Sequence, residues 1–311
     1  MRNFHNILFV SHGVGDESDG LMQAAAVADY SGATLEVEVV CPSLPGEFEE
    51  YRGAYIEGLK NHVEDTLRKV RVNLELSEEG LPVSISVNCG STPAERVIRR
   101  VQREGFDLVV KQVEGKQRRS GFRAMDMELL RKCPSPVWLC RPIRRPRAEI
   151  NVVVAIDPES ESVEDRNLSI RLLRLSRDLA DTCSGTLHVV SCWEYDVDAY
   201  LRHHVPINVS DEELERIIER AGSSHRSKLD ALIQEAGIGG AMEIHHAIAQ
   251  AERFIPQLIE ERHFDILVMG TLARTGIPGF IMGNTAENIL QKVSCSLLAL
   301  KPDEFVSPVK P

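Results

Sequence analysis

Five short motifs occur in the same order in both halves of this chain, and that duplication limits the folds open to it. Asn6-Ile7-Leu8-Phe9-Val10 corresponds to Asn151-Val152-Val153-Val154-Ala155, and Thr34-Leu35 to Thr186-Leu187. Ala94-Glu95-Arg96-Val97-Ile98 corresponds to Ala251-Glu252-Arg253-Phe254-Ile255, and Phe106-Asp107-Leu108-Val109-Val110 to Phe264-Asp265-Ile266-Leu267-Val268. The last pair runs from Arg131-Lys132-Cys133 to Arg141-Pro142 and from Gln291-Lys292-Val293 to Lys301-Pro302. The separation grows from 145 to 160 residues, so the second copy carries small insertions. Matching elements in fixed order are the mark of a duplicated unit, and 311 residues are enough for two cores.

Within each copy, short β-branched runs alternate with longer helical patterns, as βαβ units around a buried parallel sheet require. Strands are expected at 6–10, 34–40, 83–88, 107–111 and 135–140, then at 151–156, 186–192, 241–245, 265–270 and 295–300. Helices are expected at 47–78 and 211–236, where Leu214, Ile217, Ile218 and Ala221 mark an apolar face. The fold class is therefore α/β: two tandem α/β/α domains, each with a five-stranded parallel sheet. The boundaries fall at 1–143 and 149–303, followed by a C-terminal tail, 304–311.

A net charge of −11 argues against direct nucleic-acid binding. The basic run Arg141 to Arg147, interrupted by Pro142 and Pro146, is expected to be a solvated linker. Seven cysteines with no CxxC suggest reduced thiols. Met1 to His5 run straight into a strand, leaving no room for a signal peptide, and no segment is apolar enough to span a bilayer. A cytoplasmic protein is the expectation.

The chemistry concentrates in the second copy. A strand ending at Gly270 delivers the chain to the sheet edge where α/β proteins place ligands. After Gly276 and Gly279, Gly283 opens a helix whose first-turn amides suit a phosphate. Asn284 and Thr285 offer side-chain donors, and Thr271 and Arg274 follow Gly270 closely enough to approach phosphates. The competing reading is a plain helix cap, with Glu287 the reciprocal partner of Asn284. Asp157 follows the first strand of this copy and suits either a base or ribose contact or a turn.

Together these features resemble the universal stress protein family, specifically its tandem-domain bacterial members. The match extends over both halves, and Lys132-Cys133-Pro134-Ser135-Pro136-Val137-Trp138 and Lys301-Pro302-Asp303 add to it. The resemblance implies the adenine nucleotide alpha hydrolase-like sheet and, in many members, ATP bound through G-x2-G-x9-G-[ST]. Here that frame reads Gly270, Ala273, Gly283-Asn284. It implies that Asp157 helps place adenine, that the backbone near Val189 contacts it, and that Gly270, Gly283, Asn284 and Ala286 hold phosphates. Ala273 and Asn284 depart from the pattern, one by an added Cβ and one by an amide in place of a hydroxyl.

In the first copy, Lys111 and Glu114 stand where the early glycines are expected, and Ser11-His12-Gly13 supplies no aspartate. That copy reads as a structural or interaction domain. No catalytic set is assigned, because Asp157 and Arg274 lack a convincing base; Cys89 and Cys192 read as inert thiols. No metal site is assigned either: His245 and His246, adjacent on a strand, face opposite ways, and His203-His204 gains no completing ligand. The expected cofactor is ATP or another adenine nucleotide, with Mg²⁺ only alongside ATP. The resemblance implies a stress-response role in growth arrest or DNA damage. The alternatives are a nucleotide-independent scaffold and a slow ATP hydrolase. Expected partners are the two domains paired within the chain, a second copy in a homodimer and an unidentified protein, with no membrane.

Overall fold

The computed structural model describes residues 4–113, 122–159, 162–194, 210–271 and 282–311. The first copy contains β1 (Asn6–Ser11), α1 (Ser18–Ser31), β2 (Thr34–Cys41), α2 (Arg52–Asn73), β3 (Val83–Cys89), α3 (Pro93–Glu104), β4 (Leu108–Gln112), α4 (Ala124–Lys132) and β5 (Val137–Cys140). A 3₁₀ turn over Gly46–Tyr51 leads into α2. The second contains β6 (Asn151–Ala155), α5 (Val163–Cys183), β7 (Thr186–Trp193), α6 (Asp211–Ala236), β8 (Met242–Ile248), α7 (Ala251–Arg262), β9 (Ile266–Gly270), α8 (Asn284–Leu290) and β10 (Ser296–Leu300). The expected strands all form, with ends shifted by one or two residues, and by three at the end of β8.

The two five-stranded sheets are fused. The strand order is β3-β2-β1-β4-β5-β10-β9-β6-β7-β8, parallel within each half and antiparallel where β5 meets β10. Leu139, Trp138 and Val137 pair with Leu297, Leu298 and Ala299, so each copy covers the other's open edge. Among the described residues, one apolar layer holds Leu59, Leu173 and Leu229 from α2, α5 and α6. The opposite layer holds Val97, Leu129, Ile255 and Ile289 from α3, α4, α7 and α8. No helix among the described residues is long and apolar enough to cross a membrane.

Local signals explain the long helices. In α6, Ser210 accepts from the Glu213 amide at 3.2 Å, three acidic residues occupy the first turn, and Gly237 stops the helix at φ 64°. The strands start on a repeated device: Asp107 accepts from the Asn6 amide at 3.0 Å and Asp265 from the Asn151 amide at 2.9 Å.

Two expectations fail. The basic segment after β5 is not solvated throughout: the Arg141 guanidinium lies 5.3 Å from the Phe122 ring centroid and its amide donates to Ser296 Oγ at 2.9 Å, whereas Arg144 and Arg147 are exposed. Nor are all seven cysteines reduced, since Cys41 and Cys89 form a disulfide. They are direct register partners at the ends of β2 and β3, and parallel pairing turns both side chains to one face.

The tail is an integral strap. Phe305 and Val309 are buried, Ser307 Oγ donates to the Lys132 carbonyl at 2.7 Å, and Gln102 Nε2 donates to the Val309 carbonyl at 3.0 Å. Just before it, Lys301 sends Nζ to the Cys133 carbonyl at 2.7 Å, across the junction between copies. Burial pulls the Lys301 pKa down from 10.5 to about 8. The unfolded chain thus holds a proton that the folded chain releases between about pH 8 and 10.5, so this group's contribution to stability rises with pH across that window. Relative to Lys301→Met, the wild type is expected to gain up to about 3 kcal/mol there in urea unfolding. A gap between the two proteins that does not change with pH counts against this account.

Candidate functional site

The order of strands reverses at the β6–β9 boundary, which opens a crevice at their C-terminal ends. A cavity of about 410 Å³ occupies it. Gly270 ends β9 at its floor, and Gly283, Asn284, Thr285 and Ala286 form one wall. Asp157 after β6 and Asp165 and Ser169 on α5 supply polar groups, while Val190, Leu168, Leu172, Ile255 and Met269 make it partly apolar. A Cβ on Gly270 would lie 3.1 Å from Leu168 Cδ2, so a larger residue there crowds the cavity.

The helix start differs from a capping box. Gly283 is the N-cap, in extended conformation with no side chain to cap, and the first helical bond runs from the Glu287 amide to the Gly283 carbonyl. The amides of Asn284, Thr285 and Ala286 precede that bond and have no acceptor within the helix. The Glu287 carboxylate pairs instead with Arg131 of α4, in the other copy, which takes its charge away from Asn284.

Of the sequence-predicted residues, Asp157, Gly270, Gly283, Asn284, Thr285 and Ala286 come together in the cavity lining. Asp157 also makes the turn that its type suggests, accepting from the Glu159 amide at 2.9 Å. The Val189 side chain packs into an apolar layer and that of its neighbour Val190 lines the cavity, because side chains alternate along β7; the contact expected at Val189 is a backbone one. Thr271 is buried beside the cavity; its amide bonds Leu300 and its carbonyl accepts from Gly283, closing the loop's two ends on each other. Ala273 and Arg274 lie outside the described residues.

The residues that sequence reasoning missed sit on α5. Asp165, Leu168, Ser169 and Leu172 recur at intervals of three and four, the spacing of one helical face. Two polar residues within that otherwise apolar stripe were the available signal. Cys192 also lines the cavity, and burial, with Asp157 and Glu194 nearby, pushes its thiol up to about 12, so it is protonated and unreactive at neutral pH.

The first copy remodels the equivalent crevice: a cavity of about 560 Å³ remains at the ends of β1, β2 and β4, lined by His12, Asp16, Glu17, Val40, Tyr55 and Gln112. Counting from the paired aspartates, Asp107 and Asp265, the counterpart of Gly270 is Gln112, and Lys111 is the counterpart of Met269. This corrects the alignment that set Lys111 against the glycine. The Gln112 side chain accepts from the Gly20 amide at 2.7 Å and donates to the Asp16 carbonyl at 2.8 Å. A Cβ on Gly20 would lie 2.7 Å from Gln112 Cβ, so the small residue has moved from the strand to the facing helix. Behind it Lys111 Nζ meets Asp126 Oδ1 at 3.0 Å, both side chains essentially inaccessible. Their counterparts, Met269 and Ala286, both line the open cavity of the second copy.

The universal stress protein family model matches residues 151–301, the copy that holds the cavity. Universal stress protein E of Escherichia coli K12 is 32% identical over 238 residues, covering 74% of this chain and 72% of the relative. Universal stress protein E of Photorhabdus laumondii is 26% identical and covers 100% of this chain and 99% of the relative. Among solved structures, a putative universal stress protein from Pseudomonas aeruginosa UCBPP-PA14 superposes with TM-score 0.72 at 25% identity, covering 97% of this chain and 95% of the other. A two-copy α/β sheet, the motif order and these likenesses agree: the chain belongs to the universal stress protein family, in the tandem-domain arrangement that resembles bacterial universal stress protein E.

Proposed function

We propose that the second copy binds an adenine nucleotide, and that this binding regulates a cytoplasmic stress-response protein acting in growth arrest or DNA damage. The observation that carries the reading is the crevice itself: first-turn amides of α8 on one wall, carboxylates of Asp157 and Asp165 on others, and Gly270 beneath. Amides at a helix start favour phosphate oxygens, whereas carboxylates accept from ribose hydroxyls or an adenine amino group. The volume is of the size that a small ligand needs. Two carboxylates repel a bare triphosphate, so ATP is expected to enter with Mg²⁺.

Among the described lining residues none is placed as a general base beside a positioned nucleophile, and the proposal is binding without efficient turnover. The altered lining of the first copy's crevice, with Gln112 at the place of Gly270 and His12 near that of Asp157, supports a structural or partner-contacting role for that half. A second copy of the chain in a homodimer and a protein partner belong to the same proposal.

Calorimetry on the full chain with Mg·ATP is expected to show one saturable site. Gly283→Val retains an ordinary backbone at φ −67° but adds bulk to the wall, and is expected to weaken binding at least about tenfold, or 1.4 kcal/mol. Absence of saturable binding to the wild type overturns the nucleotide reading and leaves the scaffold.

A further inference from the structure

At the far edge of the sheet, away from the crevice lining, β7 and β8 bring three metal-type donors together. His188 Nδ1 lies 3.1 Å from His245 Nε2. Glu243 places one carboxylate oxygen 3.5 Å from His188 and the other 3.7 Å from His245. All three donors lie within 4.8 Å of one another. The register fixes this: His188 is paired with Glu243, and His245 follows two residues on, on the same face. His246 turns to the opposite face, where its Nε2 meets His225 Nδ1 at 2.9 Å beside Trp193.

We propose that His188, His245 and Glu243 form a zinc-binding site that clips edge strand β8 to β7. Tetrahedral zinc with ligands at 2.0–2.1 Å requires donors about 3.3 Å apart, and the three separations bracket that value. Two imidazoles and a carboxylate suit zinc rather than magnesium. The side chains of His188 and His245 are only 10% and 9% exposed, and the Phe264 ring, 4.6 Å from His188, walls the site. Ligation uses both facing ring nitrogens, so the proton now between them moves to the nitrogen on the far side of its own ring. Fourth coordination is open to water.

The first copy supplies an internal comparison. At the position of His188 it has Glu36, and at that of Phe264 it has Phe106. There the Arg100 guanidinium fills the space: 2.5 Å from Glu36, 3.6 Å from Glu38 and 5.3 Å from the Phe106 centroid. A cation therefore occupies this place in the first copy. In the second, the helix position of Arg100 is taken by Gln257, which bonds Glu261 on the exposed side at 2.6 Å and delivers no charge. Arg262 reaches Glu243 at 3.7 Å from the rim, is 55% exposed, and is free to swing into solvent when an ion displaces it.

Cobalt(II) titration of the metal-stripped full chain tests the site, because tetrahedral cobalt absorbs visibly. One equivalent is expected to give a tetrahedral spectrum that zinc abolishes and magnesium does not. His245→Gln is expected to lose the spectrum. Half-exposed Glu243→Gln, which leaves the fold's interior untouched, is expected to weaken binding beyond the 10–100-fold cost of losing an outer-shell partner. His246→Gln is expected to bind as the wild type does. No tetrahedral spectrum in the wild type, or wild-type affinity in either His245→Gln or Glu243→Gln, overturns the proposal.

Discussion

Replacing Asp126 with Ala is expected to cost 3–5 kcal/mol, the penalty for stranding one partner of a buried pair. Lys111 and Asp126 are 1% and 0% exposed, so water cannot screen the ammonium that remains. The double variant Lys111→Met/Asp126→Ala installs the residues that the second copy carries at the equivalent places, Met269 and Ala286. Removing both charges together avoids the stranded ion. The double variant is expected to recover all but about 1 kcal/mol, the share due to the Asp126 carboxylate that accepts from the Arg123 amide. Urea denaturation of the two variants decides it. If the double variant is as unstable as the single, the penalty is not the charge.

Cys41→Ser is expected to destabilise the oxidised protein by about 4 kcal/mol, the loop-closure entropy for a cross-link across 48 residues. The same loss is expected when the wild type is treated with a reductant, whereas the variant's transition does not respond to it. Mass spectrometry after thiol blocking assigns the pair. Alkylation of both cysteines in the natively purified, oxidised protein would show the bond absent and remove the effect. The disulfide ties β2 to edge strand β3, so the cost should appear in the first copy's transition.

Much of the architecture was legible in the chain. Strand periodicity and the repeated Phe-Asp motif located the strands because parallel sheets bury both faces and leave near-continuous apolar runs. Gly270, Gly283 and Asp157 were legible as crevice residues because topology places loops after β-strands at one edge. Val189 and Val190 were not separable, since alternation shows that neighbours face opposite ways but not which way either faces. Asp165 and Ser169 were missed because they lie on a helix after the glycine-free loop, where no phosphate motif points.

The sequence by itself determined a duplicated α/β protein whose second half carries the glycines and the aspartate of a ligand crevice. Order of motifs, β-branched runs and glycine placement are local properties, and they survive without knowledge of contacts. Only the tertiary structure decided that the two sheets fuse through β5 and β10, that Cys41 meets Cys89, and that Lys111 turns inward to Asp126. It alone joined His188 to Glu243 and His245, across 55 residues or more of chain. Each of these depends on strand register and on which face a side chain takes, and a shift of one residue in pairing would undo it.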